Sequence, residues 1–218
     1  MRSLVGSVAA DYKSDLVNDD RTILIRETAM TEILLYHHVQ GLTDGVKSFA
    51  DDLRRGGHTV HTPDLFDGRT FATLDEGFAF AKEVGFDTVK DRGAAVAEDF
   101  GSDLVYVGFS FGVMIAQKLA QTREGARGAL LLHSCVPVSE FGSSWPAGVP
   151  VQIHGMKDDE FFDEDLPAAR ELAASTPEAE LFVYPGDQHL FTDSSLDDFD
   201  AEATMLLKSR VLSFLDTL

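Results

Sequence analysis

The sequence has a single cysteine, Cys135. No internal disulfide is available, so a packed core must hold the fold, which fits a reducing compartment. A cytoplasmic protein is the expectation. Positive charge is scarce as well. Lysine and arginine number 18 against 37 aspartates and glutamates, a formal net charge of -19. Such a field repels phosphate backbones and anionic lipid surfaces, so neither nucleic acid nor membrane is an expected partner. No apolar run approaches the ~20 residues a spanning helix needs. The N-terminal "SLVGSVAA" has a short apolar core interrupted by Gly6 and Ser7, so a signal peptide is not the expectation. There is no G-x-G-x-x-G or G-x-x-x-x-G-K-[ST] stretch, which removes the usual dinucleotide and P-loop readings. "DDEFFDEDL" and "DSSLDDFD" are acidic but lack the calcium-loop spacing with its central glycine. His37 and His38 are adjacent on an extended segment and point to opposite faces, so they do not chelate one ion. No cofactor and no metal are expected.

What is present makes one domain. The 218 residues, 44% of them hydrophobic, suffice for one sizeable core and are too few for two ordinary domains. Residues 1–29 differ from the rest. "DYKSDLVNDDRT" is polar and aperiodic, and "ILIRET" has the makings of one short strand. This segment is an edge strand plus a tail, or an upstream extension with Met30 as the natural start; the reading leans to the second. The domain proper is 30–218.

From Met30 the chain alternates. "EILLYHH" is an apolar strand of the fully buried kind. "TDGVKSFADDLRRGG" follows as a helix, with Val46, Phe49, Ala50 and Leu53 at helical spacing and a Gly-Gly stop. Arg54 and Arg55 at its end are favourable to the helix dipole. "HTVHTPDLF" is a second strand, and the stretch from Thr73 to Gly101 holds one or two helices. "DLVYVGFS" is a strand and "FGVMIAQKLAQTRE" a helix. "RGALLLHS" and "VPVQIHG" are strands. "EDLPAARELAAST" is a helix with Pro167 in its first turn. "AELFVYPG" is the last strand, before a C-terminal amphipathic helix. This is an α/β protein, a mainly parallel central sheet with helices on both faces. Ligands of such sheets bind outside the carboxyl ends of the strands.

The loops at those ends carry the chemistry. After "DLVYVG" the chain reads Gly108-Phe109-Ser110-Phe111-Gly112, a match to G-x-S-x-G. A sharp strand-to-helix turn strains its central residue and projects that side chain outward, and the flanking glycines leave room for close backbone approach. Ser110 is the candidate nucleophile. A serine hydroxyl needs a base. "YPGDQHLF" places His189 in the loop after the last strand, and histidine suits a general base. After "VPVQIHG" come Asp158 and Asp159, either of which is placed to orient His189. Serine, then aspartate, then histidine is the order of the α/β-hydrolase fold. The tetrahedral oxyanion needs two donors. One is the backbone N–H of Phe111, and the other belongs to the loop "HHVQG", which Gly41 and Gly45 allow to bend back.

Three stretches together resemble the dienelactone hydrolase family: the front segment ending in "PDLFDG", the turn "VGFSFGVMIA", and "YPGDQHLF". The resemblance covers residues 30–218. It implies Ser110 as nucleophile, His189 as base and the backbone N–H of Val39 as second oxyanion donor. Counting from Pro150, it implies Asp159 as the acid, whereas a plain G-x-x-D from Gly155 gives Asp158. Three positions depart from the archetypal members. They carry cysteine where this chain has Ser110, glutamate at the position of His38, and a substrate-binding arginine at the position of Asp193. An anionic dienelactone would meet repulsion at Asp193, so a small hydrophobic ester is the expected substrate.

Most of the 16 phenylalanines must be core. Those flanking the serine and histidine, Phe109, Phe111 and Phe191, are candidates to line an apolar pocket, with His38 and Asp158 beside them. His133 and His154 end strands and read as supports behind the site or as structural, and Cys135 as a small buried hydrophobe. The expected function is a serine hydrolase acting on a small uncharged ester. A lactonase or thioesterase on the same three residues, or a non-catalytic binder of a small apolar ligand, are the alternatives.

Overall fold

The computed structural model describes residues 30–218; the strand expected in "ILIRET" lies outside the described residues. The strands are β1 (Glu32–Tyr36), β2 (Thr59–His61), β3 (Leu104–Phe109), β4 (Gly128–Leu132), β5 (Val151–Met156) and β6 (Ala179–Tyr184). They form one sheet in the order β2-β1-β3-β4-β5-β6 with every pairing parallel. β3, β4 and β5 are buried along their whole length, which is why they read as near-continuous apolar runs. Strand alternation divides them between two core layers. Leu34, Tyr36, Tyr106 and Leu131 face one side; Ile33, Leu35, Val107 and Leu130 face the other.

Among the described residues six α-helices cover the two faces: α1 (Asp44–Arg55), α2 (Leu74–Val84), α3 (Phe86–Val96), α4 (Val113–Thr122), α5 (Glu160–Ser175) and α6 (Ala201–Leu215). Val46, Phe49, Ala50 and Leu53 of α1 and Leu207, Val211 and Phe214 of α6 pack into one layer. Val89 of α3, Ile115 and Leu119 of α4, and Leu166 and Leu172 of α5 pack into the other. The stretch after Thr73 makes two helices, α2 and α3, broken at Gly85. α2 begins with a capping box, in which the Thr73 hydroxyl accepts the Glu76 N–H and Glu76 reaches back to the Thr73 N–H. Arg54 does more than complement the dipole of α1, because its guanidinium also donates to the Val60 carbonyl of β2.

Pro167 is not in a first turn. α5 starts earlier than its sequence pattern indicates, at Glu160, because the Asp159 carboxylate caps it by accepting the Phe161 N–H at 3.0 Å. Pro167 therefore stands inside the helix and leaves the Asp163 carbonyl without its N–H partner. Both residues are exposed, so that carbonyl is not shut away from solvent.

The strand order reverses between β1 and β3. The chain leaves β1 outward to β2, then returns to build β3 on the other flank. The carboxyl edge at this reversal is where α/β sheets bind ligands, and the loops after β1 and β3 both open there.

Candidate active site

The turn after β3 is as tight as its glycines indicate. Ser110 has φ +47, in the left-handed region that a side-chain-bearing residue adopts at a cost of about 1–3 kcal/mol. A Cβ on Gly108 would lie 2.5 Å from the backbone nitrogen of Val113, and one on Gly112 would overlap the carbonyl oxygens of Tyr36 and His37. Both glycines are therefore required by close approach: one lets the turn close on α4, the other lets it press against the end of β1. Ser110 is held where the first turn of the following helix begins.

His189 comes to Ser110 from the loop after β6. Its Nε2 lies 2.7 Å from Ser110 Oγ, and its Nδ1 lies 2.8 Å from Asp159 Oδ2. All three side chains are largely buried. The partners define the tautomer: Nδ1–H donates to the carboxylate, and Nε2 is left to accept the serine hydroxyl. Asp159 has both oxygens engaged, Oδ2 by His189 and Oδ1 by the Phe161 N–H at the start of α5. That second bond fixes the carboxylate plane. Asp158 takes no part; it is exposed, beside the ammonium of Lys157 at 3.8 Å.

The loop after β1 runs past this turn. The N–H of Val39 has no hydrogen-bond partner among the described residues, while the neighbouring Gln40 and Gly41 N–H groups are bound to His38. Phe111 follows Ser110 in the first turn, where N–H groups lack an intrahelical acceptor. These are the two backbone donors that the sequence nominates for an oxyanion.

Four of the remaining nominated residues stand elsewhere than expected. His38 does not line an opening; its ring is wholly buried, with Nε2 donating to Asp193 Oδ2 at 2.8 Å and Nδ1 accepting the Gln40 N–H at 3.2 Å. Phe109 points to the α1 and α6 side, packed edge-on against Phe49 at 5.1 Å, because strand alternation turns it away from the pocket. Phe191 is buried in the same layer, 4.8 Å from the His133 ring. Asp193 does not face a substrate either. It is 1% exposed and accepts from His38, Thr43 and Ser195. Burial alone raises its pKa; the hydrogen bonds from His38, Ser195 and Thr43 outweigh that and hold it at about 2. Two of the three positions where the chain departs from archetypal dienelactone hydrolases thus meet each other.

The pocket wall is built from other residues. A cavity of about 240 Å³ opens beside Ser110 and His189, lined by Phe78, Phe111, Met114, Val136 and Phe161. Phe161 lies 4.6 Å from the His189 ring. Only Phe111 was nominated as lining. Phe78 and Met114 sit on helices, so a search confined to strand ends passes over them. Glu164 and Asp165 share this cavity. A second cleft, of about 520 Å³, has Phe161 and His189 in common with it and adds Asp158, Glu160, Asp187, Asp197 and Asp198. Among the described residues, neither opening has a lysine or arginine on its wall.

His133, at the end of β4, stands next to the site, as a support behind it would. It has φ +69, its Nε2 is 2.7 Å from Thr192 Oγ1, and its ring is 6.1 Å from that of His189. Burial first, then the nearby His189, push its pKa well below the ordinary range, so it is neutral. His154 is bound to Tyr184 and Gln152, and burial lowers its pKa to about 3. Burial likewise pushes the Cys135 thiol up to about 12, which leaves it a thiol and no nucleophile. No group of histidine, cysteine and acidic side chains among the described residues is arranged to hold a metal ion. No helix among them is long and apolar enough to cross a membrane.

The model of the dienelactone hydrolase family matches residues 22–218. No curated protein matches the chain. Among solved structures, a dienelactone hydrolase-like promiscuous phosphotriesterase from metagenomic libraries is similar at 18% identity. The match covers 86% of each chain, with a TM-score of 0.66. The mouse alpha/beta hydrolase domain-containing protein 10 is 14% identical over 86% of this chain and 90% of its own, with a TM-score of 0.60. A cold-adapted esterase from an Arctic intertidal metagenomic library is 20% identical over 88% of this chain and 84% of its own, with a TM-score of 0.56. At such identities the likeness is one of fold, and that fold is the α/β hydrolase.

Proposed function

The chain belongs to the dienelactone hydrolase family, hydrolases acting on ester bonds, and on that premise we propose a serine hydrolase that cleaves a small, uncharged ester through an acyl-enzyme. The observation that carries this reading is the unbroken hydrogen-bond chain from Ser110 Oγ through His189 to Asp159, at 2.7 and 2.8 Å.

The steps follow from those contacts. Ser110 Oγ attacks the ester carbonyl carbon and its proton passes to His189 Nε2. Asp159 holds the ring in register and stabilises the imidazolium. The carbonyl electron pair becomes an oxyanion that accepts from the Phe111 and Val39 N–H groups; one such donor is worth about 10²–10³ in kcat. The oxyanion collapses, the C–O bond breaks, and His189 returns its proton to the departing alcohol. Water then repeats the sequence on the acyl-enzyme and frees Ser110. The apolar wall of Phe78, Phe111, Met114 and Phe161 suits an alkyl or aryl portion. The surrounding carboxylates disfavour an anionic substrate and help expel the carboxylate product.

A binder of apolar ligands would need the cavity but not the three-residue chain. Lactones and thioesters are attacked at the same carbon, so they belong in the assay beside short p-nitrophenyl esters. Wild type is expected to turn over at least one of these, and Ser110→Ala to lose roughly 10⁶ in kcat, as a serine hydrolase does when its nucleophile is removed. Equal activity in the two would overturn the nucleophile assignment.

A further inference from the structure

His38 and Asp193 form a second histidine–carboxylate pair, with both side chains fully buried. Its carboxylate collects bonds from two loops. From the loop after β1 and the start of α1 it accepts His38 Nε2–H at 2.8 Å and the hydroxyl of Thr43, the residue that caps α1. From its own loop it accepts the Ser195 N–H at 2.9 Å and the Ser195 hydroxyl at 2.6 Å, and Ser195 Oγ in turn accepts the Gly45 N–H at 3.1 Å. A Cβ on Gly45 would overlap the carboxylate, so that glycine is what lets the two loops close.

Each end of the pair leads to a reacting group. His38 Nδ1 accepts the Gln40 N–H at 3.2 Å, and the His38 carbonyl accepts the Gly41 N–H at 3.0 Å. The ring and its own backbone thus clamp the turn that contains Val39. At the other end the Asp193 N–H donates to the Leu190 carbonyl at 2.9 Å, closing the turn that directly follows His189. One buried carboxylate therefore joins the loop of the oxyanion donor to the loop of the base.

We infer that His38 and Asp193 are positioning residues, which set the Val39 N–H against the developing oxyanion while His189 is held against Ser110. The inference rests on the serine-hydrolase reading. Neither residue contacts substrate; each acts through the loop it fixes. Loss of the clamp lets the donor drift, and a misplacement of ~1 Å in an active site costs on the order of 10²-fold in rate.

The test uses the full chain with Asp193→Asn, His38→Gln and the double variant. The inhibitor is a trifluoromethyl ketone analogue of the best ester substrate. Ser110 adds to its carbonyl carbon, the proton goes to His189, and the resulting oxyanion occupies the donor site. Each single variant is expected to lose about 10²-fold in kcat, with KM changed by less than about threefold because ground-state binding is untouched. Ketone affinity falls by the same factor as kcat/KM. The double variant costs no more than either single, because the two residues act as one unit. A merely structural role lowers the fraction of active enzyme and leaves kcat per active site and ketone affinity unchanged; that result overturns the inference. Should Asp193→Asn not fold, His38→Gln, which buries no new charge, decides by the same readouts. A wild type that neither hydrolyses esters nor binds the ketone overturns the underlying reading, and this inference with it. A fully active wild type with unaffected variants overturns this inference alone.

Discussion

Two histidine–aspartate pairs lie at the same edge of the sheet, and they differ in one nitrogen. In His189–Asp159 and in His38–Asp193 the imidazole donates to a buried carboxylate at 2.8 Å. The remaining nitrogen of His189 faces Ser110 at 2.7 Å, in a cavity. The remaining nitrogen of His38 faces the Gln40 N–H, inside the protein. The first ring is free to take a proton from a neighbour that can react. The second has a backbone donor fixed against it. A carboxylate-paired histidine is thus no evidence of proton transfer by itself; what the other nitrogen meets decides.

The sharpest way to break the comparison is to remove each carboxylate. Asp159→Asn is expected to lower kcat by about 10⁴, because the amide favours the wrong histidine tautomer. That is some hundredfold beyond the loss expected from Asp193→Asn, and steady-state kinetics on one ester measures both. Equal losses would erase the distinction between proton transfer and positioning.

The next effect concerns histidines with no carboxylate. Burial lowers the pKa of His37 to about 4 and of His154 to about 3. Their folded forms stay neutral where the unfolded chain takes up protons, below about pH 6.5. Their contribution is therefore complete above pH 6.5 and declines as pH falls toward 4, at up to about 1.4 kcal/mol per pH unit for each. Asp193 acts with the same sign in a lower window: held at about 2, it keeps its contribution above the ordinary carboxylate pKa and loses it as pH falls from there toward 2. Urea unfolding at pH 7 and pH 5 is expected to show the loss, and His154→Gln to flatten the slope. A stability independent of pH over that range would contradict the burial argument.

Closing down the scale, Gly112→Ala presses a methyl into the Tyr36 and His37 carbonyls and is expected to cost about 1–3 kcal/mol, read as a lower melting temperature. Asp158→Asn is the smallest change. The exposed side chain acts only through a screened field, so kcat/KM for a neutral ester should move by less than about twofold.

Much of this was legible in the sequence because it is local. The order of strands and helices follows from apolar periodicity, and the nucleophile turn from two glycines around one serine. The sequence leaves Asp158 beside Asp159, and only the family resemblance counted from Pro150 points to Asp159. The physical reason is the cap it provides to α5, and a cap is hard to see when the helix start is misjudged through Pro167. The pocket was less legible. Phe109 and Phe191 flank the reacting residues in sequence, yet alternation and loop closure turn both into the core. Phe78 is distant in sequence, Met114 sits one helical turn past Ser110, and both line the wall. The pairing of His38 with Asp193 joins residues far apart along the chain, and no spacing rule carries it.

The measurement that tests the central claim most directly is mass spectrometry of the enzyme quenched during turnover of a p-nitrophenyl ester, followed by peptide mapping. The account predicts the acyl mass on the peptide that contains Ser110, formed together with a burst of p-nitrophenol, and absent from Ser110→Ala. Turnover with no adduct on Ser110, or with the acyl group on another residue, would contradict it.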